Sequence, residues 1–348
     1  MPDSPPAVAP RRFGAGGPTL AEVGERALIE RLVEIAEGAA GPQPPGFSGD
    51  DAAVWSPAPG CDLAVSLDAL VEGVDFRRGW ISPRQLGRRA FAVAVSDLAG
   101  TGAEPMRCLA TLCARGSEQL DDILDIQRGL CEAAAAVGCA MVGGDVSAID
   151  GPLVIDVCIV GTVARGRALR RSAGRPGDVV MVTGVLGRAA AGLRILIEGS
   201  GPRPGVEEEW IEAQLQPALR VAEGRRLLDA GVACGGDISD GLLLDAARTA
   251  QASGCGVEVW ADSLPVDAQL KDRFGRGWLE LAVGGGEDFE LVMAVAVADV
   301  ARLRRDWPAP LAPLSEVGRL VEGSGVRLLD RRDGTELIQP PTAAQHFA

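Results

Sequence analysis

Acidic residues recur in one setting along this chain: an Asp or Glu beside Gly or Ser, at the end of a short apolar run. Gly49-Asp50-Asp51-Ala52-Ala53-Val54 comes first. Ser66-Leu67-Asp68, Ser96-Asp97, Gly143-Gly144-Asp145, Asp237-Ile238-Ser239-Asp240-Gly241 and Gly285-Gly286-Glu287-Asp288 follow. Two carboxylates held about 4 Å apart in a low-dielectric cleft repel by several kcal/mol unless a cation separates them. Glycine lets backbone N–H groups come close to phosphate oxygens. The pattern points to a divalent metal and nucleotide phosphates gathered in one cleft. Arg171, in a loop with Arg167, Arg170 and Arg175, has the guanidinium fork that suits phosphate. Each acid also has a plainer reading. Asp50 and Asp51 could cap a turn, Asp97 could cap the segment after it, and Asp237 and Asp240 could cap a helix starting at Gly241. Recurrence at element ends favours the convergent reading, because solvating acids normally scatter along helix faces.

Composition narrows the chemistry by exclusion. With 348 residues, 47% of them apolar, the chain suits two domains. A net charge of −14 argues against a nucleic-acid partner. A phosphorylated substrate stays open, because Mg²⁺ can supply the missing positive charge. The one His is His346, the one Lys is Lys271, and Tyr is absent. A multi-histidine metal centre and a Ser-His-Asp triad therefore lack their parts. A Walker A loop lacks its lysine, as do kinases that set a lysine on the phosphates. Eight cysteines without a C-x-x-C pair read as reduced thiols of a cytoplasmic protein. No stretch reads as a signal peptide or a membrane span.

The elements that must position these residues follow from periodicity and punctuation. Residues 1–18 read as a disordered lead. Thr19-Leu20-Ala21-Glu22 has capping-box spacing and opens a helix ending near Gly38. Residues 53–55 and 63–67 read as short strands. Ser82-Pro83 starts a helix running towards Ser96-Asp97, 106–114 is a β run, and Ser117 caps a second long helix ending at Gly138. A short strand, 140–142, delivers Gly143-Gly144-Asp145, and 153–163 is again β. The domain boundary falls near the arginine loop, giving an N-terminal domain over 19–165 and a C-terminal domain over 166–348. Beyond it, 179–183, 257–260, 291–297 and 315–321 read as strands. Helices fall around 187–196, 208–215, 218–230 and 240–253. Several strand-to-strand links are too short for a helical crossover, so the class is α/β with much antiparallel pairing.

These motifs, with Ser66-Leu67-Asp68-Ala69-Leu70-Val71-Glu72-Gly73, Ser96-Asp97-Leu98-Ala99-Gly100-Thr101-Gly102-Ala103 and Gly285-Gly286-Glu287-Asp288-Phe289-Glu290-Leu291, resemble thiamine-monophosphate kinases of the aminoimidazole-ribonucleotide synthetase superfamily. The likeness runs in order from about residue 20 to the C-terminus. It implies two α/β domains, the N-terminal mixed sheet forming a barrel across a homodimer and the C-terminal domain an α/β sandwich. It also implies ATP-dependent phosphorylation of thiamine monophosphate to thiamine diphosphate, in line and through several Mg²⁺ ions. By resemblance the metal ligands are Asp51, Ser66, Leu67 through its main chain, Asp68, Asp97, Asp145, Asp237 and Asp240, with Asp97 and Asp240 at the catalytic centre. Gly144, Asp145, Arg171 and Ser239 would touch ATP, and Glu287 the thiamine moiety. The acceptor is already an oxyanion, so positioning and charge neutralisation matter more than a general base.

The departures cluster on recognition. Asp75 stands where the family has a substrate-contacting His, and Ala344 where it has an aromatic. Leu67 replaces a metal-contacting Thr. Ala136 and Val137 stand near an expected adenine-side aromatic, and Ala94 replaces a common Asn. Two alternatives stay open: a related ATP-using enzyme with another acceptor, and a non-catalytic nucleotide-binding relative.

Overall fold

The computed structural model describes residues 11–14, 16–40, 55–199 and 201–337. Among these, the strands form one four-stranded and one six-stranded sheet. The first contains β1 (Cys61–Val71), β2 (Glu104–Ala114), β3 (Ala140–Ala148) and β4 (Val154–Ala164), in the order β1-β4-β2-β3. With it come helices α1 (Leu20–Val23), α2 (Glu25–Ala40), α3 (Pro83–Thr101) and α4 (Leu120–Ala136). β2 and β3 pair in parallel, which requires a crossover, and α4 provides it. Ile155, Val157, Ile159 and Val163 alternate as buried residues on β4, the period expected of a strand with one covered face.

The second sheet holds β5 (Val179–Thr183), β6 (Cys234–Ile238), β7 (Gly256–Trp260), β8 (Glu290–Val295), β9 (Leu314–Val321) and β10 (Val326–Leu329), in the order β10-β7-β9-β5-β8-β6. Only β10–β7 is parallel; the other pairs run antiparallel. Its helices are α5 (Arg188–Glu198), α6 (Val206–Leu215), α7 (Val221–Asp229), α8 (Leu242–Ala252), α9 (Ala268–Phe274), α10 (Trp278–Gly284) and α11 (Val297–Arg305). Val182, Ile238, Leu242, Val259, Val292 and Val317 form the centre of one buried apolar core. The expected α/β class with strong antiparallel pairing is what the fold shows.

Two compact units emerge: Met1–Trp55, Leu67–Phe91 and Arg107–Cys158 make one, and Ser56–Ser66, Ala92–Met106 and Ile159–Ala348 the other.

Several local expectations need correcting. The capping box at Thr19 is present, with Glu22 reaching back to the Thr19 N–H at 2.8 Å, but it opens only a four-residue helix. Gly24, at φ 80°, breaks the chain before α2. Ser117 does not cap α4; Gln119 holds that place. The lead shortens, because Arg11 pairs with Asp122 and Asp125 on α4. Asp68 and Asp145 lie within strands rather than at their ends. The glycines at 143 and 144 are themselves strand residues. An added Cβ at Gly144 would meet Ala110 O at 2.0 Å, so the β2–β3 pairing alone demands glycine there.

Candidate active site

Within the second unit, three of the expected ligand positions and the expected phosphate arginine line one cleft of about 270 Å³. Ser66 comes from β1, Asp97 from α3, Arg171 from the loop before β5 and Asp237 from β6. Asp97 does not cap a helix. It lies inside α3, four residues before Thr101, so the negative end of the peptide dipoles adds to its own charge. Neighbours on a helix point about 100° apart, and α3 uses this. Ser66 Oγ donates to Asp97, and Ser96 Oγ donates to Asp237 Oδ2 at 2.8 Å.

Asp237 is 3% exposed. Burial, and after it the charge of Asp97, raises its carboxyl to about 6. Arg171 Nη2 stands 3.5 Å from Asp237 Oδ1, a loose pairing with a side chain still 40% exposed. Glycines make this closeness possible. A Cβ at Gly236 would come 3.0 Å from Arg171 Nε, and one at Gly100 would come 2.7 Å from Asp237 N. The cleft thus concentrates negative charge against one half-free guanidinium.

The loop after β6 carries Ser239 and Asp240. Neither Asp237 nor Asp240 caps α8. Gly241 holds the N-cap place, and buried Asp245 accepts the N–H groups of Ser239 and Asp240 at 3.1 and 3.0 Å. Asp240 itself pairs with Arg248. The glycine-rich box is tied to this loop: Glu287 N donates to Ser239 O at 2.7 Å and Phe289 N to Ile238 O at 2.9 Å. Glu287 and Phe289 have φ of 68° and 48°, a region side chains rarely adopt. Between them Asp288 accepts the N–H groups of Gly187 and Ala189 at 2.8 and 3.3 Å, at the start of α5. Gln214 Nε2, on α6, donates to Glu287 Oε2 at 2.5 Å.

In the first unit, Leu67 is 61% exposed on β1 and Asp68 follows it on the opposite face. Gly144 and Asp145 face solvent on β3, in register with Ala110 and Thr111. Asp75 Oδ2 accepts Val71 N at 2.7 Å, which commits that oxygen to its own turn. Asp51 and Ala344 lie outside the described residues.

Among the described residues no group of three or more His, Cys, Asp or Glu side chains is placed to hold a metal ion. The donors in the cleft still suit magnesium. They are hydroxyl and carboxylate oxygens, and Mg²⁺ is usually held by one or two carboxylates plus water and substrate phosphate rather than by an all-protein cage. Asp245 and Gln214 are the residues that spacing does not single out; Ser96 and Asp288 sit in the acid motifs, but the contacts they make are not legible there. The contacts of Ser96, Gln214 and Asp288 join residues far apart in sequence, whereas Asp245 acts within its own loop.

Two family patterns match the chain: AIR synthase related protein, N-terminal domain, over residues 49–163, and AIR synthase related protein, C-terminal domain, over 175–331. A thiamine-monophosphate kinase from Bacillus subtilis (strain 168) is 32% identical over 301 residues, 86% of this chain and 92% of the relative. The crystal structure of thiamine-monophosphate kinase from Stenotrophomonas maltophilia K279a superposes with a TM-score of 0.78 at 33% identity, over 90% of this chain and 98% of that one. A structure of AaThiL complexed with AMPPCP and TMP superposes at 0.73, with 29% identity over 96% and 100%.

Proposed function

The chain belongs to the AIR synthase related proteins, in their thiamine-monophosphate kinase branch, and from this we infer that it transfers the terminal phosphoryl group of ATP to thiamine monophosphate, giving thiamine diphosphate. The observation that carries the reading at residue level is the cleft of Ser66, Asp97, Arg171 and Asp237. Its oxygens are hard donors and its one guanidinium is half free. Asp97 and Asp237 are the carboxylates that would hold Mg²⁺ there, with Ser66 beside them. Asp51, Asp68, Asp145, Asp240 and the Leu67 main chain are the further ligand positions carried over from the family. When bound, magnesium supplies positive charge to the phosphate oxygens that no lysine of this chain supplies.

The protein's own part is positioning. Arg171 would steady phosphate oxygens by its fork, with Gly144, Asp145 and Ser239 as the other ATP contacts carried over from the family. Ser96 holds the Asp237 carboxylate in place. The attacking atom is a phosphate oxygen of the substrate, already anionic, so no side chain need take a proton from it. Glu287 is our contact for the cationic thiamine moiety. Asp75 has turned one oxygen to its own loop; with Ala344 it marks where this chain departs from its relatives. Purified protein with ATP, Mg²⁺ and thiamine monophosphate should form thiamine diphosphate and ADP in equal amounts. Bound ATP with no thiamine diphosphate formed would overturn the reading.

We also read the protein as a homodimer. β1 is an edge strand of its sheet, and Leu63, Val65 and Leu67 are 54%, 63% and 61% exposed along one face of it. An apolar edge of this kind invites pairing with a second chain. Leu63→Arg is expected to shift the protein from dimer to monomer in sedimentation at micromolar concentration; an unchanged sedimentation coefficient would count against β1 as the interface. The eight cysteines are all free thiols, which suits the reducing cytoplasm. No helix among the described residues is long and apolar enough to cross a membrane.

A further inference from the structure

Two residues with left-handed backbone flank one acid, and that acid closes the first turn of a different helix. We propose that Asp288 is a positioning residue which, together with Gln214, fixes the Glu287 carboxylate for the thiamine end of the substrate. Strained non-glycine backbone persists only where its surroundings over-determine it, and it gathers at functional sites. Here the restraints are visible. Asp288 ties the turn to Gly187 and Ala189 at the start of α5. The main-chain bonds of Glu287 and Phe289 tie it to Ser239 and Ile238. An added Cβ at Gly286 would come 2.8 Å from Ser239 O, so the two loops touch without side chains between them.

The geometry forces an alternation. With the backbone pinned on both sides of Asp288, the side chains at 287 and 288 must leave in different directions. Asp288 goes to α5, and Glu287 goes towards α6, where Gln214 Nε2 holds one carboxylate oxygen at 2.5 Å. Gln214 is 5% exposed, so its amide is fixed by its surroundings and transmits that fixity to Glu287. The amide carries no charge of its own. It orients the carboxylate for a cationic ring without neutralising it, as an arginine in that place would.

The inference rests on Glu287 being a substrate contact, and the test separates the two. Glu287→Gln, Asp288→Asn, Gln214→Met and the double variant Glu287→Gln/Asp288→Asn are compared by steady-state kinetics with each substrate varied. All three single variants are expected to raise KM for thiamine monophosphate about tenfold, with kcat and KM for ATP within about twofold of wild type. The double variant is expected to be no worse than Glu287→Gln, because both changes remove one interaction. If Glu287→Gln raises KM while Gln214→Met and Asp288→Asn leave it unchanged, the positioning role is wrong and the contact stands. If Glu287→Gln leaves KM unchanged, the contact itself is wrong. If Asp288→Asn folds and lowers only kcat, Asp288 is a structural cap and the proposal fails. If it does not fold at all, Gln214→Met decides alone.

Discussion

Asp237→Asn is expected to stop phosphoryl transfer and, at pH 8, to make the metal-free protein more stable. The ordinary value of this carboxyl is 3.8, and burial with the Asp97 charge raises it to about 6 in the folded chain. The folded state therefore holds the proton more tightly than the unfolded state. The stability this provides is complete below pH 3.8 and declines as pH rises through about 6. At pH 8 the ionised carboxylate costs on the order of 2–3 kcal/mol, since each tenfold change in proton affinity is worth about 1.4 kcal/mol. Asn keeps an acceptor for Ser96 Oγ and carries no charge, so the variant escapes that cost. Activity should fall at least about 100-fold, because an anchor for phosphate-bound charge is gone. Thermal unfolding in chelator at pH 4 and pH 8, beside turnover assays, checks both halves. The variant should gain melting temperature over wild type only at the higher pH. An equal difference at both would show that Asp237 is not held ionised against its surroundings.

Gly100→Ala carries the second large effect, and it acts through backbone. The new methyl would lie 2.7 Å from Asp237 N and 3.0 Å from Gly236 C. Neither atom can swing aside as a side chain would, so α3 or β6 must move. Overpacking of this kind costs about 1–3 kcal/mol. The displacement also separates Ser96 and Asp97 from Asp237, and a shift near 1 Å at a catalytic arrangement costs about 100-fold in rate. Turnover should fall much further than the loss of folded protein explains. Gly38→Ala is the control, since nothing lies within 4 Å of its Cβ position. Wild-type kcat in the Gly100 variant would mean that α3 and β6 do not need their close approach.

The acids are legible because chemistry, rather than secondary structure, dictates them. Ser66, Asp97, Asp237 and Arg171 can be named from residue type and setting, and they share a cleft. The elements beneath them are harder to read. Ser, Asp and Gly compete with helical backbone bonding, so the end of α3 reads as a stop at Ser96-Asp97. Burial of Val95, Leu98 and Ala99 carries the helix on to Thr101. β6 is hidden because Cys-Gly-Gly-Asp-Ile has little strand propensity. Its glycines are there for Arg171 and Leu169, whose atoms come within 3.0 and 3.3 Å of the missing Cβ positions. Gln214 leaves no trace in spacing, and the motif that contains Asp288 does not show its tie to α5, since each acts across tens of residues.

β1 does two jobs with a period of two. Its odd-numbered residues, Leu63, Val65 and Leu67, form the apolar strip, and its even-numbered ones, Ser66 and Asp68, point the other way towards ligand duty. A slip of a single residue would exchange the two sets. If two copies pair along β1 as proposed, the neighbour would act as a clamp on strand alignment. Specific activity would then fall with dilution as the pairs come apart.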